Sequence, residues 1–172
     1  VVVYLLALIP VAAILGGSAS RNPLSAIGAS REMSLYFGYE LPFLIVLLIP
    51  ILKAHGSIRI GEIVLYQQTH QPFLYSVSGV IGTIVALICI QAKLNYAPFD
   101  IPEAEQEIMA GPYLEYSGVG LAMFKLSRAM MLFVLPILLI TLFWSGLNNY
   151  WAILKFLLFI LLIILITVSY TH

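Results

Sequence analysis

The residues able to do chemistry in this chain are carboxylates, and they are crowded together. The stretch from Lys93 to Gly118, KLNYAPFDIPEAEQEIMAGPYLEYSG, holds Lys93, Asp100, Glu103, Glu105, Glu107 and Glu115, six of the sixteen formally charged residues. If EAEQEI is helical, Glu103 and Glu107 stand at i and i+4 with Asp100 on the same side, where like charges repel. Removed from bulk water, such acids raise one another's pKa and share protons, as a proton relay or a charge-sensitive switch requires. Glu105 points elsewhere, to a partner or to a basic side chain such as Lys93, and Glu115 opens the following helix. A structural reading competes for two of them: Pro98 and Pro102 break the preceding helix, and Asp100 with Glu103 has the spacing of a capping box.

Glu40 is the sharper signal, because it lies inside an apolar run, after Tyr39 and before Leu41 and Pro42. An intramembrane carboxylate is costly unless paired or hydrated and is by default a functional-site candidate. Arg31 and Arg128 are its candidate mates, the alternative being a purely structural ion pair or a protonated glutamate. Lys125 and Arg128 are equally well explained by snorkelling from a helix end. Glu62, His55 and His70 fall in a polar connection and read as solvated surface.

Other chemistry is excluded. Cys89, the single cysteine, lies in an apolar run, so the chain has no disulfide framework and no cysteine-ligated cluster of its own. The histidines lack metal-ligand spacing, the acids lack the EF-hand pattern with its central glycine, and there is no P-loop, H-E-x-x-H or G-x-S-x-G. We expect no catalytic residue, metal or cofactor in this chain.

These carboxylates must be positioned by membrane helices. The 172 residues are 62% hydrophobic and 9% charged, with a mean hydropathy of +1.03, far from the composition of soluble domains. The formal net charge of zero gives no reason to expect nucleic-acid binding. A bilayer core about 30 Å thick takes about 20 apolar residues per helix. On that measure the sequence predicts an all-α, polytopic membrane helical bundle with five spans: Val1 to about Gly17, Ser34 to Leu52, Phe73 to Ala92, Glu115 or Tyr116 to Trp144, and Trp151 to Ser169. SASRNPLSAIGASREM is expected to connect the first two. Ile58, Ile60, Ile63, Val64 and Leu65 suggest a short interfacial segment, and Trp144, Tyr150 and Trp151 an aromatic belt. Residues 1–172 read as one integral membrane domain, with its acidic loop, 93–118, between the third and fourth spans. Val1 to Leu15 has neither a basic n-region nor a clean cleavage site, and both ends are expected to be incomplete. Arg21, Arg31, Lys93, Lys125 and Arg128 lie at the loop face, against Lys53, Arg59 and Lys155 at the other. The positive-inside rule therefore predicts a cytoplasmic loop in a multi-pass plasma-membrane protein.

At PFDIPEAEQEIMAGPYLEYSG, Pro98 to Gly118, the sequence resembles the membrane subunit of complex I that abuts the quinone site, and its homologues in energy-converting hydrogenases. NPLSAIGASREM followed by YELP, and Gly56-Ser57, resemble the family as well, so the resemblance covers essentially the whole chain. It implies that Glu40, Asp100, Glu103, Glu105, Glu107 and Glu115 are proton-linked acids and that Arg31 is the loop arginine. It also implies that the loop faces a peripheral redox arm, with iron-sulfur clusters in partner subunits and antiporter-like membrane subunits alongside. Quinone-reducing members typically have a glutamate and an arginine before PFD, where this chain has Lys93 and Tyr96. EAEQEIMAGPYLEYSG looks more like the membrane-bound, ferredoxin-linked nickel-iron hydrogenase branch. That branch implies peripheral large and small hydrogenase subunits on the cytoplasmic side and a nickel-iron centre among them. A sulfane sulfur reductase of the same architecture, a quinone-reducing complex I subunit and an independent ion carrier are the alternatives.

Overall fold

The computed structural model describes residues 1–103, 109–146 and 150–171. Among these there is no strand, and the chain forms α1 (Val2–Ala19), α2 (Pro23–Lys53), α3 (Ile60–Thr69), α4 (Val77–Lys93), α5 (Gly118–Phe143) and α6 (Ala152–Thr171), with short 3₁₀ turns at Phe73–Tyr75, Ile101–Glu103 and Gly111–Tyr113. Four helices, α1, α2, α5 and α6, are long and apolar enough to cross a bilayer, and α4 is a shorter apolar helix. This is the expected polytopic bundle. The short segment expected around Ile58 to Leu65 is α3, ten residues long, too short to span.

The main departure is at α2. Its 31 residues absorb most of the expected connection, so that only Ser20 to Asn22 separate it from α1. The local cause is a strong start signal: the Asn22 side chain accepts the Leu24 amide at 2.9 Å, and Pro23 occupies the first turn. Burial sustains the added turns. Ser25, Gly28, Ala29, Glu32, Tyr39, Glu40, Phe43, Val46, Leu47 and Pro50 are the buried residues of α2, a three-and-four spacing that makes one face. Its lower part packs on α4, and its upper part on α1 and on the 3₁₀ turn at Gly111–Tyr113.

Close approach of backbone decides that upper contact. A Cβ on Gly28 would lie 2.7 Å from the Gly111 carbonyl carbon and from the Pro112 nitrogen. Gly111 itself has φ +53°, and a Cβ there would meet the Pro102 carbonyl oxygen at 1.9 Å. The two ends of the loop thus close on each other and on α2 only because both positions are glycine. Gly28→Ala is expected to cost about 1 to 3 kcal/mol by overpacking, read as faster proteolysis of the α4–α5 loop in sealed vesicles with helix content unchanged. Cleavage at the wild-type rate would contradict this docking.

Below the loop lies a core of Phe43, Leu87, Ile90, Leu94, Leu135, Leu139, Ile140 and Phe143 with their neighbours. It is crossed by few polar groups. One is Gln67, whose amide donates to the Leu142 carbonyl at 3.0 Å while its oxygen accepts the Ser145 amide at 2.8 Å, which fastens α3 to the end of α5.

Candidate functional site: a buried acid–base cluster under the loop

Ionisable groups from α2, α4, α5 and the loop converge beneath the Gly111–Tyr113 turn. The deepest is an ion pair: the Lys93 ammonium donates to Glu40 Oε2 at 2.6 Å, with the Lys93 side chain fully buried and that of Glu40 10% exposed. The rings of Phe43 and Tyr39 lie 4.9 and 5.4 Å from Lys93 Nζ, a cation–π wall that complements the carboxylate. Glu40 therefore finds its cation on α4. Of the mates expected from sequence, Arg128 is bonded to Glu103 and Arg31 donates to the Ile101 carbonyl at 3.5 Å. Lys93, expected at the leading edge of the loop, is the last residue of α4 and faces inward.

The way α4 ends positions the next polar group. Asn95 takes φ +51°, its amide donates to the Ala92 carbonyl at 3.1 Å and the Tyr96 amide to the Gln91 carbonyl at 3.2 Å. This is a Schellman closure with asparagine in the left-handed position. It turns the chain sharply after Leu94 and brings Asn95 into the interior before the loop leaves, beside Lys93, which the phase of α4 already places on its buried face with Ala86 and Ile90.

Asn95 then meets a carboxylate not singled out from the sequence. Its Nδ2 donates to Glu32 Oε2 at 2.7 Å, and Glu32 is 3% exposed. Glu32 and Glu40 lie eight residues apart on the buried face of α2, about 12 Å along the axis. The signal for Glu32 was present in its phase with Ser25, Gly28, Ala29 and Glu40. It was hidden by starting the helix at Ser34, which left Glu32 in a polar connection.

Nearer the surface, Arg128 of α5 holds Glu103 through both guanidinium nitrogens, at 2.9 Å from Nη1 to Oε2 and in a second, shorter contact from Nη2 to Oε1. This is a bidentate pair, not a snorkelling arginine. Arg128 also lies over the Tyr113 ring, 5.6 Å from its centroid. Burial pushes the Tyr113 phenol up to about 12 despite the adjacent guanidinium, so this group stays protonated at neutral pH. Glu103 spends its carboxylate on Arg128 and its amide donates to the Asp100 carbonyl at 3.0 Å, a backbone turn in place of the side-chain bonds of the expected capping box. Glu115 accepts from the Asn22 amide at 2.6 Å, tying the end of the loop to the cap of α2. Asp100 and Lys125 are exposed. Glu105 and Glu107 lie outside the described residues, and so does the expected i, i+4 face they form with Glu103.

Glu32, Lys93, Asn95, Tyr113 and Arg128 line one small cavity of about 10 Å3, room for about a single water molecule. Asn95 Oδ1, buried, has no hydrogen-bond donor among the described residues. Two cations and one carboxylate therefore border this void, and Glu32 is held by an amide where Glu40 and Glu103, each bonded to one of those cations, are held by charge. A proton can join or leave Glu32 without breaking an ion pair. No group of three or more metal-ligating side chains occurs among the described residues.

The comparisons agree with this architecture. Over 133 residues the chain is 39% identical to the H subunit of the NADH-quinone oxidoreductase of Bacillus cytotoxicus and 38% identical to that of Bacillus mycoides. Those stretches are 77% of this chain and 39% of each relative. A chain of the membrane-bound sulfane sulfur reductase, an archaeal respiratory membrane complex, superposes with a TM-score of 0.76 at 26% identity, over 91% of this chain and 53% of that one. The match thus covers well under half the length of the curated relatives and about half that of the structural neighbour. The model of the family described as NADH dehydrogenase matches residues 1–172, and the chain belongs to that family.

Proposed function

We propose that this chain is the membrane anchor and energy-coupling subunit of a ferredoxin-dependent, membrane-bound nickel-iron hydrogenase. The observation that carries the choice of branch is the Lys93–Glu40 pair. Lys93 stands before PFD, where the resemblance places a glutamate in quinone-reducing members, and here an ammonium and two aromatic rings fill the space. That supports protons over quinone as the electron acceptor.

In this reading the loop faces the cytoplasm of a plasma-membrane protein, below the hydrogenase large and small subunits. Their iron-sulfur clusters and nickel-iron centre carry out the redox chemistry; this chain holds none. A change of charge above the loop alters the hold of Glu103 on Arg128. Arg128 also borders the cavity that Glu32, Asn95 and Lys93 share, so the disturbance passes to Glu32 as a proton or a field, and from there along α2 to Glu40. Antiporter-like subunits receive it and move protons or sodium. Asp100 and Glu115 serve at the loop surface, Glu105 and Glu107 are further proton-linked acids of the same loop sequence, and Arg31 anchors the loop.

A second reading is supported by the likeness to the sulfane sulfur reductase chain: the same coupling device beneath a sulfur-reducing arm. Copurification decides between them. The tagged complex should contain a nickel-bearing large subunit and evolve hydrogen from reduced ferredoxin. A nickel-free complex that reduces sulfane sulfur would establish the second reading. Quinone reduction sensitive to quinone-site inhibitors would overturn both, and ion transport by the subunit reconstituted alone would make it a carrier.

A further inference from the structure

At the end of the bundle opposite the acidic loop, a cavity of about 650 Å3 opens between α3, the Phe73–Tyr75 turn, the end of α5 and the start of α6. It shares no residue with the acid–base cluster. Its floor is the buried Gln67, fixed to the Leu142 carbonyl and the Ser145 amide, so the hollow is part of the fold. Its charge has one sign. Lys155 borders it, and no carboxylate does among the described residues; the sequence SGLNNY between α5 and α6 contains no charged residue either.

Lys155 is held in place. Its ammonium donates to the Trp144 carbonyl at 3.0 Å and lies 5.2 Å from the centroid of the Trp144 ring. One bond is thus used and two N–H donors are left for a ligand. Tyr75, Gln71 and Trp151 add neutral donors on the rim. The wall is hydrocarbon: Leu154 and Leu158 line the cavity, and the exposed leucines 154, 158, 161 and 165 continue it along one face of α6. That row is about 17 Å long at 1.5 Å per residue, comparable to a lipid acyl chain. Trp144, Tyr150 and Trp151 mark the headgroup level of the bilayer at this end. A cationic, donor-rich pocket at headgroup depth that runs into an apolar groove fits an amphiphile with an anionic head.

We propose that this cavity is a binding site for an anionic phospholipid, whose phosphate is held by Lys155 and whose acyl chain lies along Leu154, Leu158 and Leu161. Charge complementarity selects the occupant, because a zwitterionic lipid would bring its own cation into a pocket that already holds Lys155.

The test uses the complete complex, purified in detergent, stripped of lipid and titrated with phosphatidylglycerol or phosphatidylcholine, with bound lipid counted by native mass spectrometry. Phosphatidylglycerol should bind this subunit in preference to phosphatidylcholine. Lys155→Gln should weaken it about tenfold, the loss of one charge-assisted hydrogen bond, and Lys155→Arg should retain it. Leu158→Trp, which fills the groove and leaves the cation, should also release the lipid, while inorganic phosphate should not displace it. Equal retention by Lys155→Gln, or no preference between the two lipids, would overturn the proposal. So would a protein segment of the complex occupying the cavity in an experimental map.

Discussion

Lys93→Met is expected to be the most destabilising single substitution in this chain, and Glu40→Gln is expected to reverse much of its effect. The two groups form one pair at 2.6 Å, with Lys93 wholly buried. Removing the ammonium leaves the Glu40 carboxylate among Tyr39, Phe43 and hydrocarbon with nothing to balance it. Stranding one member of a buried pair costs about 3 to 5 kcal/mol, whereas replacing both by uncharged groups of similar volume is often neutral. The measurement is the temperature at which the detergent-solubilised complex releases this subunit, taken for both single variants and the double. A sharp fall for Lys93→Met and recovery in Lys93→Met/Glu40→Gln is the expected pattern. Additive losses would mean that the two residues act separately and that the pair does not organise this part of the core.

Glu32→Gln is expected to abolish ion translocation while leaving dye-linked redox turnover of the detergent-solubilised complex nearly intact. Glutamine keeps the size of glutamate and still accepts from Asn95, whose amide donates to Glu32 at 2.7 Å. It breaks no ion pair, because Lys93 holds Glu40 and Arg128 holds Glu103. The fold should therefore survive, and what is lost is the ability to take up and release a proton beside the cavity. Vesicles carrying the variant should show no redox-driven pH or sodium gradient above the uncoupled background. Full pumping would remove Glu32 from the coupling path and leave it a structural hydrogen-bond acceptor. Substitution at Glu40 alone is the poorer test of relay, because it also strands Lys93.

The family, the membrane location and the acidic character of the site could all be read from the sequence, for a physical reason. Apolar runs of bilayer length have few ways to fold, and the residues from Pro98 to Gly118 carry a pattern dense enough to be recognised without a structure. Helix positions were mostly legible too: a short segment was expected around Ile58 to Leu65, and α3 is a helix of ten residues there. The failure at α2 came from reading polarity as a boundary. Ser25, Glu32 and the small residues Gly28 and Ala29 look like a connection in one dimension, yet they are the contact face of a helix whose neighbour is a backbone turn.

Residue types fixed the ingredients, eight acids and eight bases in a hydrocarbon chain, and local signals such as Asn22-Pro23 fixed where helices begin. Pairing was decided only by tertiary structure, because an ion pair depends on which helices are adjacent and on how each one ends. The phase of α4 against α2 brings Lys93 to Glu40, the asparagine closure after α4 turns Asn95 to Glu32, and the docked loop hands Glu103 to Arg128. Sequence spacing carries no information about those distances. The same six groups, joined differently, would have been a solvated acidic loop above an isolated membrane glutamate.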